Sequence, residues 1–88
     1  MKICIPSISN EIKKEDIFRV FAKMKIGRIG RIIENLHYKN NSKKCVIIHI
    51  EFNESENANI IQTRLNNNQP IYLVYDQPWF WKIVKSIK

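Results

Sequence analysis

Glycine and cysteine are scarce in this chain, with two of each, and there are only three prolines. Two cysteines, Cys4 and Cys45, do not make a disulfide scaffold, which sets aside the small secreted frameworks. The stretch KIGRIGRI holds both glycines, Gly27 and Gly30, yet it lacks the Gly-Lys-Ser/Thr ending and following helix of a phosphate loop. No apolar run approaches about 20 residues, so no membrane span is expected. The opening MKICIPSI is too short for a signal-peptide core, and no small-residue cleavage site follows. An intracellular, reducing setting is the expectation. Acid is also in short supply: 8 Asp and Glu stand against 15 Lys and Arg, for a net charge of +7. Such an excess points to an acidic partner, nucleic acid or an anionic surface. The plainer reading is that lysine keeps the domain soluble and that a lysine, isoleucine and asparagine bias inflates the count.

What is present is an apolar fraction of 44% over 88 residues, enough for one domain, 1–88, with a single modest core. The longest alternation is Lys43 to Phe52, KKCVIIHIEF. It predicts a central strand with Val46, Ile48, Ile50 and Phe52 inward and Cys45, Ile47, His49 and Glu51 outward. KICIPSI, residues 2 to 8, predicts a first strand with Ile3, Ile5 and Ile8 inward and Pro6 at its end or on an unpaired side.

From about Lys14 to Lys25, Ile17, Val20, Phe21 and Met24 follow the i, i+3, i+4, i+7 spacing of one helical face. Glu15 and Asp16 suit its positive end, and Ile12 and Ile17 have the spacing of a hydrophobic staple. Gly27 is expected to stop this helix, and Gly30 to open a second strand from about Arg31 to Tyr38. Ile32, Leu36 and Ile33 are its inward candidates. Lys39 to Lys43 reads as a basic hairpin loop. Asn53, with Glu56 three residues on, suggests the cap of a second helix whose stripe is Ala58, Ile61 and Leu65. The asparagines 66–68 end it. Ile71 to Tyr75 and Trp79 to Ile87 are two further extended segments across an Asp76-Gln77-Pro78 turn. Alternation forbids Trp79, Phe80 and Trp81 from all facing one way, so at least one is buried and one exposed.

This order predicts an α+β fold, a ferredoxin-like βαββαβ sandwich. Its antiparallel sheet has four strands and carries two helices on one face, with an extra C-terminal strand or hairpin. The other sheet face stays open.

Order and lengths resemble an RNA-recognition-motif (RRM) domain over the whole chain. ICIPSI resembles that family's hexapeptide motif, KKCVIIHIEF its octapeptide motif, and LNNNQPIYLVY the turn into its last strands. The tail RLNNNQPIYLVYDQPWFWK further resembles a divergent group of RRM-like proteins of giant DNA viruses. A viral member would act in the host cytoplasm or the virion. The resemblance implies that bases stack on side chains of the two central strands. Those positions hold Cys4, Ile47 and His49, of which only His49 is a ring. At about 1–3 kcal/mol per stacked base, this substitution shifts the expected binding toward phosphate contacts.

Cys4, His37, Cys45 and His49 are residue types that ligate zinc, but no close Cys-x2-Cys or His-x3-His pair occurs, and thiols and surface imidazoles without a metal are the simpler reading. His49 and Glu51 share a strand face, yet no nucleophile motif accompanies them. No enzyme activity and no cofactor is expected. The expected function is nucleic-acid binding, RNA first, through Cys4, Arg28, Arg31, Lys39, Lys43, Lys44, Ile47, His49, Lys82 and Lys85, with Lys88 in the tail. Trp79 and Trp81 offer replacement stacking surface or, more simply, core and edge. The alternative is a protein-interaction or homodimer module using the open sheet with Ile47 and Ile33.

Overall fold

The computed structural model describes residues 1–36, 42–76 and 79–86. The elements are β1 (Lys2–Ser9), α1 (Lys14–Met24), β2 (Gly27–Leu36), β3 (Lys43–Phe52), α2 (Glu56–Asn66), β4 (Ile71–Asp76) and β5 (Trp79–Lys85). The strands form one five-stranded sheet in the order β2-β3-β1-β5-β4, and every pairing is antiparallel. The result is an α+β fold with two helices. No helix among the described residues is long and apolar enough to cross a membrane.

Strand alternation builds the core. Ile3, Ile5, Val46, Ile48 and Ile50 are buried on one sheet face with Ile17 and Phe21 of α1 and Ala58 and Leu65 of α2. The register of β1 against β3 slips between Ile5 and Ile8, because Ile5 sits opposite Val46 and Ile8 opposite Lys44. That extra residue turns Ile8 back to the core, where it is buried despite its even number. Each fully buried isoleucine contributes about 1.5–3 kcal/mol, so this face outweighs any surface ion pair.

The helices begin and end on side-chain chemistry. At the start of α1, the Asp16 carboxylate accepts from the Lys13 backbone N–H at 3.1 Å. Lys13 has no acceptor on its side chain, so only half a capping box forms. The helix stops at Lys25, which is left-handed at φ 53°, and not at Gly27. Asn53 does not cap α2. Its amide nitrogen instead donates to the Lys25 carbonyl at 2.8 Å, tying down the end of α1. Ser55 caps α2, accepting from Ala58 N–H at 3.2 Å.

β2 starts at Gly27, four residues earlier than the sequence suggests. Its pairing with β3 is irregular between Ile29 and Arg31, so Gly30 lies at a bulge inside the strand. Beyond the bulge Ile32 is buried, opposite Ile48. Ile33 faces the other way, opposite Ile47, and Leu36 is 69% exposed at the far end of the strand, outside the core. The sheet has five strands, not four, and β4 forms one edge. The last strand, β5, lies inside it against β1.

The two glycines have unlike roles, and neither has positive φ. A Cβ on Gly27 would fall on the Glu51 carbonyl oxygen and within 2.8 Å of Phe52 Cα, both backbone atoms. At Gly30 the nearest atom would be 3.9 Å away. Gly27→Ala should therefore cost about 1–3 kcal/mol in urea unfolding, as overpacking does. Gly30→Ala should stay within about 0.5 kcal/mol of the wild type. Equal losses at the two sites would contradict this assignment.

Candidate nucleic-acid interface

The strand parity that buries Ile3 and Ile48 turns Cys4, Cys45, Ile47 and His49 to the opposite face, where all four are half-buried. On β2 the same face carries Arg28 opposite Glu51, Arg31 opposite His49, Ile33 opposite Ile47 and Asn35 opposite Cys45. On β5 it carries Val84 opposite Cys4. The element contacts and the shared core put both helices on the buried side.

The basic residues divide into distinct groups. Arg31, Lys43, Lys82 and Lys85 are exposed. Arg28 is exposed too, and its guanidinium meets the Glu51 carboxylate at 3.3 Å. At 82% and 78% side-chain exposure, this pair is worth about 0–1 kcal/mol and yields readily to a competing anion. Lys39, His37 and the tail position Lys88 lie outside the described residues.

Lys44 is not part of the open face. It is 3% exposed and points to the helix side. Its ammonium donates to the Glu34 carboxylate at 2.9 Å and to the Ile12 carbonyl. The parity that turns Val46 inward turns Lys44 inward as well, and removing either charge would leave its partner poorly compensated. Lys44 therefore anchors β3 to the approach of α1 and β2 instead of offering a cation to a ligand.

The β4–β5 hairpin adds rings to the open face. Lys82 and Phe80 share the parity of Val84, and their partners on β4 are Tyr72 and Val74. Tyr72 and Phe80 are 55% and 53% exposed, with ring centroids 5.5 Å apart and planes at 79°. Of the three consecutive aromatics, Trp81 is buried at 3% and Trp79 and Phe80 are exposed at 63% and 53%. Trp81 stacks on Tyr75 at 4.6 Å on the core side. Sequence reasoning looked to the tryptophans and passed over Tyr72 and Phe80. Their signal was the alternation of Tyr72 with Leu73 and of Phe80 with Trp81, readable only once the hairpin register is known.

The thiols of Cys4 and Cys45 touch, with Sγ atoms 3.4 Å apart. Burial, then the hydrogen bond and charge of the Cys45 sulfur, push the Cys4 thiol up from 9.0 to about 12. Among the described residues no group of three or more His, Cys, Asp or Glu side chains gathers into a metal site. Comparison with protein-family models, curated proteins and solved structures finds no match for this chain.

Unfolding returns Cys4 toward 9.0, so between pH 9.0 and about 12 the unfolded chain releases a proton that the folded chain keeps. The stability contributed by this group is complete below pH 9.0 and falls as pH rises toward 12. Denaturant midpoints of the wild type should therefore fall more steeply above pH 9.0 than those of Cys4→Ala. Parallel curves would show that the thiol does not titrate as its surroundings require.

Proposed function

We propose that the protein is a small non-enzymatic module that binds single-stranded nucleic acid, RNA first, across the open sheet face. The observation that carries this reading is the Tyr72–Phe80 ring pair, half exposed on that face with Lys82 across the ladder from Tyr72, in a chain of net charge +7. Rings give bases a stacking surface, and lysines and arginines beside them hold the phosphates. Arg31, Lys43 and Lys82, with Arg28 once Glu51 is displaced, are the phosphate contacts. His49 is the single ring that the central strands β1 and β3 turn to this face.

The topology supports a ferredoxin-like, RRM-like reading. With β4 set aside, the elements run β-α-β-β-α-β and the sheet order is β2-β3-β1-β5. In that reading β4 is an added edge strand, and its hairpin brings in rings that Cys4 and Ile47 do not supply.

A second reading rests on β4 itself, an edge strand with Tyr72 and Val74 exposed. Such an edge can pair with a second copy of the chain.

Short fluorescent RNA and DNA strands titrated across a salt series test the proposal. The wild type should bind at low salt and weaken steeply as salt rises. Tyr72→Ala/Phe80→Ala should lose at least about tenfold in affinity with an unchanged salt slope. Lys43→Gln/Lys82→Gln should flatten the slope by about two phosphate contacts. No binding by the wild type at low salt would end the proposal, and a stable dimer by light scattering under those conditions would favour pairing through β4.

A further inference from the structure

We propose that Cys4 and Cys45 form a reversible intramolecular disulfide that clips β1 to β3 on the open sheet face. The chain has two cysteines, 41 residues apart, and folding brings their Sγ atoms to 3.4 Å. Cys4 lies opposite Ile47, and Cys45 is two residues along the same strand on the same face. Both thiols are half-buried and border a depression of about 590 Å³ lined also by Asn35, Ile47, Val84 and Ser86. A small oxidant can reach them there. Diagonal neighbours on adjacent strands stand about 7–8 Å apart at Cα, the upper end of disulfide reach. Side-chain rotation with a small shift of β1 against β3 therefore closes the gap from 3.4 Å to the covalent length of about 2.05 Å.

The oxidant is a low-molecular-weight disulfide of the glutathione type, an anion that a protein of net charge +7 attracts. Cys45 thiolate attacks one of its sulfurs. The new Cys45 S–S bond forms, the small disulfide bond breaks, and one small thiolate leaves. Cys4 thiolate then attacks Cys45 Sγ, forming the protein disulfide and expelling the second small thiolate. The protons lost by the two protein thiols are taken up by the two leaving thiolates. The protein is oxidised by two electrons and the small disulfide is reduced by two. Burial favours Cys45 as the first attacker, because Cys4 ionises with more difficulty. Capping Cys45 removes the neighbouring charge that opposes ionisation of Cys4.

The test uses the full chain, reduced and freed of reductant, titrated with glutathione disulfide in native buffer and in guanidinium. Intact mass and a non-reducing peptide map are read. The native wild type should lose two hydrogens and yield one peptide linking Cys4 to Cys45. It should need less than about a tenth of the oxidant required in guanidinium, since folding and the disulfide stabilise one another. Cys4→Ser and Cys45→Ser should each stop at one glutathione adduct. The proposal is overturned if the native wild type keeps its reduced mass, ends with two glutathione adducts, forms only intermolecular disulfides, or needs as much oxidant folded as unfolded.

Discussion

Burial of one isoleucine- and valine-lined sheet face under two short helices is the constraint on which the rest of the molecule depends. Ile3, Ile5, Val46 and Ile48 are 1% exposed or less. In a chain of this length the two helices cover one side of the sheet only. Because a strand repeats every two residues, committing one face to the core also commits the other. Cys4, Cys45, Ile47 and His49 lie outward for that reason alone. Lys44 marks the limit of the rule: a cation on the core side is kept there by Glu34 and the Ile12 carbonyl.

The open face is accordingly a mixed surface. Its centre is made of thiols and aliphatic side chains, one flank carries Arg28 and Arg31, and the other carries the rings of the β4–β5 hairpin. Pairing of β1 with β5 stops at Cys4, two residues before Pro6, which has no N–H to donate. The hairpin thus continues as a ladder of its own beyond the point where it leaves β1. Tyr72, Phe80 and Lys82 sit on that ladder, away from the ring positions implied by the RRM resemblance.

Much of the fold was legible in sequence because the relevant signals are local. The alternation of Lys43–Phe52 and the stripe Ile17, Val20, Phe21, Met24 each carry their own period. What was not legible depends on pairing between distant segments. The bulge at Gly30 resets the alternation of β2 so that Ile32 turns inward. Leu36, on the same parity opposite Lys44, is exposed because it lies at the far end of the strand beyond the core. Asn53 resembled a helix cap, but its amide serves the end of α1, 28 residues away in sequence. Position in the hairpin could not be read either, since nothing local says that β5 and not β4 lies beside β1. Lys44 shares the inward parity of Val46, and its charge, which ordinarily favours the surface, masks that placement in the sequence. Contact between Cys4 and Cys45 follows from the β1–β3 register, which no local pattern encodes.

The claim that the open face is the binding surface is tested most directly by backbone amide NMR of the labelled protein during titration with a short RNA strand. Expected are progressive shifts at Ile47, His49, Tyr72, Phe80, Lys82 and Val84, with Ile17, Phe21, Ala58 and Leu65 unmoved. Shifts confined to the helices, or an open face unchanged at saturating RNA, would contradict it.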